Sequence, residues 1–74
     1  MAKLPALGAA QVVNAFQTLG WSVARQRGSH IILVKEGELA TLSVPDHREV
    51  AKGTLRSLIR QAGITVDEFL AANS

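Results

Sequence analysis

Three strand-like runs, joined by links of two and three residues, restrict what this chain can become more than any other feature. Trp21-Ser22-Val23-Ala24-Arg25-Gln26-Arg27 alternates, with Trp21 and Val23 on one side and polar groups largely opposite. Gly28-Ser29 follows as a turn, and His30-Ile31-Ile32-Leu33-Val34-Lys35 is rich in branched apolar residues. Glu36-Gly37-Glu38 makes the second turn, and Leu39-Ala40-Thr41-Leu42-Ser43-Val44 the third run. A parallel crossover needs about a dozen residues, so these links impose an antiparallel meander with the His30 run in the middle. Pro45, with no N–H for a ladder, is expected to stop the sheet.

Helical periodicity flanks the meander. Val12, Val13, Phe16 and Leu19 form one apolar face within residues 9–19, and Gly20 stands where a left-handed helix end favours glycine. Residues 46–51 are expected to be a loop, or partly helical. A second helix is predicted from Thr54, as N-cap, to Ala62, with Leu55, Leu58, Ile59 and Ala62 buried and Gly63 closing it. Thr65-Val66-Asp67-Glu68 matches a capping box, so a short third helix should begin there, with Phe69 and Leu70 packing back. Ala71–Ser74 is expected to fray. The class is α+β: helix, three-stranded antiparallel sheet, helix, then a short C-terminal helix. Helices should cover one face of the sheet, leaving the other to solvent or a ligand.

With 74 residues the chain is expected to be one domain with a thin core, since a chain this short buries only about 60% of its unfolded surface. It has no cysteine, which excludes disulfides and thiolate metal sites and fits a cytoplasmic address. No apolar run approaches the roughly 20 residues of a membrane span. The first eight residues, interrupted by Pro5, are too short for a secretory signal.

Net charge is only +2, but the five arginines are unevenly placed. Lys52, Arg56 and Arg60 recur every four residues and share one face of the second helix, a match for a phosphate backbone or simply a solvated face. Arg48 would extend the row if that helix began early, and Arg25 and Arg27 on the first strand would add to it. Lys52-Gly53-Thr54 has the wrong glycine spacing and lysine order for a phosphate loop. Phe16, Trp21 and Phe69 all fall at expected core positions, so unpaired bases have no stacking platform, and backbone recognition should outweigh base reading.

His30 opens the central strand directly after Gly28-Ser29, a turn where backbone can approach a ligand closely. Imidazole exchanges protons near neutral pH. On RNA the least demanding reaction is attack of a 2′-hydroxyl on its own phosphodiester, which asks the protein only for a base, positive charge and alignment. Taken alone, His30 reads more readily as a solvated strand-end histidine than as a catalytic one. His47, in Pro45-Asp46-His47-Arg48, suits either a proton donor or phosphate contact, or an ordinary loop residue. Two unpaired histidines and scattered carboxylates imply no metal site and no cofactor.

The whole pattern carries more information than its parts. Gly28-Ser29-His30, Thr41-x-x-Val44-Pro45-x-His47, and Lys52-Gly53-Thr54-Leu55-Arg56-Ser57-Leu58-Ile59-Arg60-Gln61-Ala62-Gly63-Ile64, in this order, resemble the HicA family of bacterial toxins. The likeness extends from the first helix to Asp67-Glu68-Phe69-Leu70. It implies a fold similar to double-stranded-RNA-binding domains and an mRNA interferase that cleaves RNA independently of the ribosome. It also makes His30 the catalytic histidine and implies a HicB-type antitoxin that covers it. Ser29, Arg25, Arg27, His47, Lys52, Arg56 and Arg60 are then the residues expected to contact mRNA. Asp46 stands where members commonly carry an apolar residue, and it either orients His47 or sets negative charge beside a phosphate. A non-catalytic RNA-binding module of the same fold, or a subunit that pairs through its open sheet, would share much of this sequence.

Overall fold

The computed structural model describes residues 3–73. Helix α1 (Ala9–Thr18) is followed by strands β1 (Ser22–Arg27), β2 (His30–Val34) and β3 (Leu42–Pro45), then helices α2 (Lys52–Gln61) and α3 (Val66–Asn73). The strands form one antiparallel sheet in the order β1-β2-β3. The α+β arrangement expected from the sequence is the one observed.

Both long helices end as their glycines dictate. Trp21 N–H donates to Phe16 O at 2.9 Å and Gly20 N–H to Gln17 O at 3.0 Å, which together make a Schellman motif. Ile64 N–H to Ile59 O and Gly63 N–H to Arg60 O repeat it after α2. At the start of α3 the capping box closes in both directions: Glu68 N–H donates to Thr65 Oγ1 at 3.1 Å, and Thr65 N–H to Glu68 Oε1 at 2.9 Å.

One hydrophobic cluster joins the three helices to one face of the sheet. Leu33 pairs with Leu42, and Ile31 with Val44, so β2 and β3 present those four residues to the helices. Phe16 of α1 meets Phe69 of α3 with ring centroids 5.2 Å apart in a tilted arrangement. Trp21 is buried at the foot of β1, its indole N–H without a partner among the described residues.

Four expectations are corrected. Strand β3 begins at Leu42, not Leu39, because β2 has already turned away at Lys35, whose carbonyl accepts from Glu38 N–H; Leu39 is fully exposed. Strand β3 ends at Pro45, not Val44: Pro45 does stop the sheet, but as its last paired residue, opposite His30. Helix α2 begins at Lys52 with Ala51 as N-cap, placing Thr54 inside it. The cause is Val50, buried and donating to Leu7 O at 2.7 Å, which fixes the chain just ahead of the helix. Finally, α3 continues through Asn73 rather than fraying after Leu70, because Leu70 and Ala72 pack against the core; Ser74 lies outside the described residues.

The fifth difference bears on the site. Val23 is opposite Leu33 but 45% exposed, and the next paired residue of β1 is Arg25, opposite Ile32. Ala24 is therefore an extra residue, a β-bulge. Strict alternation would put Arg25 and Arg27 on the Val23 side. The bulge turns them to the opposite face.

Candidate functional site

A two-residue turn, Gly28-Ser29, connects β1 to β2. Gly28 has φ +56° while Ser29 does not lie in the left-handed region, the sign pattern of a type II′ hairpin turn with glycine first. A side chain at position 28 would be strained there, so glycine is what permits the strands to close so tightly.

Cross-strand partners share a face, so the pairing fixes what surrounds His30. Arg27 lies directly opposite it on β1 and Pro45 opposite it on β3. The next row on the same face is Arg25, Ile32 and Ser43. This is the face the helices leave open. His30, Arg25 and Arg27 are all exposed, and among the described residues none has a hydrogen-bonding or ionic side-chain partner. The structure thus brings together an accessible imidazole and two uncompensated guanidinium groups. Such a surface offers a base and fixed positive charge to an anion laid across the sheet.

The other expected residues lie elsewhere. Lys52, Arg56 and Arg60 are exposed along α2, as the spacing requires, but α2 packs on the covered side of the sheet. Arg48 does not prolong that row, because the helix starts four residues later. His47 sits in the segment after β3, where its carbonyl accepts Ala9 N–H at 3.1 Å. With Gly8, Ala9, Ala10, Asp46 and Arg48 it lines a shallow groove of about 370 Å³ at the start of α1. Asp46 does not orient His47: its carboxylate accepts from the Gln26 side chain at 3.2 Å.

Two residues here escaped the sequence reading. A Cβ on Gly8 would lie 2.7 Å from the Arg48 carbonyl, so glycine is what lets α1 seat against the 46–48 segment. Gln26 reaches beneath the hairpin turn, donating to Gly28 O at 3.3 Å. Gly8 carried no signal, since glycine ahead of a helix is common at N-caps. The signal for Gln26 was its position two residues before the turn glycine.

Among the described residues no three of His, Cys, Asp and Glu gather where they could hold a metal ion, and no helix is long and apolar enough to cross a membrane. A family model described as the HicA toxin of bacterial toxin-antitoxin systems matches residues 9–64. The chain belongs to the HicA toxin family. The match runs from α1 through the end of α2 and contains the hairpin, the open face and the basic row. No curated protein and no solved structure matches it. As a member of this family the protein is a toxin of a bacterial toxin–antitoxin system.

Proposed function

We propose that this HicA-family toxin is an endoribonuclease, an mRNA interferase, in which His30 is the general base. Its imidazole takes the proton of a ribose 2′-hydroxyl; the 2′-oxygen attacks the adjacent phosphorus, and the bond to the 5′-oxygen breaks. That oxygen takes a proton from water, and the imidazolium returns its own proton to solvent. The products are a 2′,3′-cyclic phosphate and a 5′-hydroxyl, so no external nucleophile enters the step. Arg27 and Arg25 stabilise the charge that grows on the phosphorane oxygens. General-base help of this kind is worth about 10²–10⁴-fold. The observation that carries the reading is the row Arg27–His30, exposed and unpaired on the open face.

The remaining contacts follow from geometry and charge. Ser29 belongs to the turn nearest the scissile phosphate, while His47, Lys52, Arg56 and Arg60 would bind more distant phosphates. With Phe16, Trp21 and Phe69 buried, recognition rests on the RNA backbone rather than on stacked bases. The order helix, three antiparallel strands, helix supports kinship with double-stranded-RNA-binding domains. The chain acts as one domain on cytoplasmic mRNA. A HicB-type antitoxin neutralises it by covering His30, which the exposure of that face permits.

Purified His30→Ala protein incubated with RNA tests the mechanism. Cleavage should fall by at least about 10²-fold while RNA affinity and the unfolding midpoint stay close to wild type. An undiminished rate, or wild-type products lacking the cyclic phosphate, would refute the assignment. RNA binding by wild type without any cleavage would instead favour the non-catalytic module.

A further inference from the structure

Gln26 and Asp46 take no part in that chemistry, yet they meet at the turn that presents His30. The Gln26 amide Nε2 donates to Gly28 O at 3.3 Å and to the Asp46 carboxylate at 3.2 Å. The backbone N–H of Asp46 donates to Ser29 O at 2.7 Å. Both carbonyls of the two-residue turn are therefore held, one by a side chain of β1 and the other by the chain leaving β3. Pro45, the cross-strand partner of His30, has no N–H, so the first donor available beyond the end of β3 is Asp46.

The side from which this happens matters. Gln26 pairs with Ile31, whose side chain packs against the core, whereas His30 pairs with Arg27 on the open face. The amide thus reaches the turn from the helix side of the sheet. It braces the hairpin from behind and leaves the imidazole face free.

We propose that Gln26 and Asp46 are positioning residues for His30, forming a clamp that fixes the turn so the imidazole meets the 2′-hydroxyl at a constant place; this rests on the ribonuclease reading above. A general base works only within hydrogen-bond reach of its proton, and a displacement of about 1 Å can cost as much as 10²-fold. The contacts are exposed, so their loss should loosen the turn without unfolding the protein.

The test compares wild type, Gln26→Leu, Asp46→Ala, the double variant, Asp46→Asn and His30→Ala. For each, kcat and KM on a short RNA, direct RNA binding, and amide hydrogen exchange across Gly28–His30 are measured. Unfolding followed by the single tryptophan, Trp21, serves as the folding control. Gln26→Leu and Asp46→Ala should each lower kcat about tenfold, with KM and RNA affinity changed by less than about twofold, and should speed exchange in the turn. The double variant should be no slower than the slower single variant, because both changes open one clamp. Asp46→Asn keeps a side-chain oxygen for the Gln26 amide and should recover most of the rate. Unchanged kcat and exchange in Gln26→Leu, beside an inactive His30→Ala, overturns the clamp and leaves the ribonuclease reading standing. Lost RNA affinity at constant kcat overturns it too, by making these residues binding groups. Asp46→Asn as slow as Asp46→Ala overturns it in favour of a charge effect. Wild type that cuts no RNA overturns both proposals together.

Discussion

Two groups of cations on this small protein look alike in the sequence and stand in different relations to His30. Arg25 and Arg27 share its face of the sheet, with Arg27 directly across the ladder. Lys52, Arg56 and Arg60 line a helix whose other side packs into the core on the covered face. All five are exposed and free of ionic partners among the described residues. The difference teaches that charge alone does not assign a role. A cation beside the reacting phosphate acts on the transition state, whereas one a helix away acts on the whole anion equally in ground and transition states.

The largest expected effect tests the near group. Arg27→Ala should lower kcat by about tenfold or more with a smaller change in RNA affinity, because a donor aimed at developing charge is lost; single-turnover rates at saturating RNA measure this. A change confined to KM would reduce Arg27 to a binding residue and erase the distinction. Next comes the far group. Reversing Arg56 and Arg60 to glutamate should weaken RNA binding and flatten the slope of log affinity against log salt concentration by about 0.7 per lost single-strand phosphate contact, leaving saturated turnover nearly intact. Salt titrations of binding decide this, and an unchanged slope would return the row to a merely solvated surface.

The smallest effect sharpens the comparison by asking what aims the near group. Deleting Ala24 removes the bulge residue and leaves Val23 and Arg25 consecutive, so ordinary alternation then keeps Arg25 and Arg27 on the face of His30. Turnover should stay within about twofold of wild type, and cross-strand proton contacts should retain Arg25 opposite Ile32. Inversion of the two arginines in that variant would show that the bulge sets more than register.

Much of this was readable in advance where the determinants are local. The helix ends at Gly20 and Gly63, the Thr65–Glu68 box and the Gly28-Ser29 turn each depend on a few adjacent residues, and each appears where those residues put it. The error at Thr54 has a non-local cause, because the bond from Val50 to Leu7 starts α2 early and no window around residue 54 contains it. Gly8 was invisible for the same reason, since its constraint is the carbonyl of Arg48, forty residues away. The facing of Arg25 and Arg27 left a trace, however. Val23 and the two arginines occupy alternate positions in one strand, a conflict between apolar and charged residues that a bulge relieves.

The sequence by itself determined the class of fold, the meander and the position of His30 after its turn, because short links and local hydrogen bonds leave few alternatives; membership of the toxin family is carried by the match over residues 9–64. Only the tertiary structure decided which cations share the histidine's face, how Gln26 and Asp46 reach the turn, and where the chain between β3 and α2 is anchored. Those depend on register and on contacts between residues far apart in the chain, where one extra residue reverses the direction of every side chain after it.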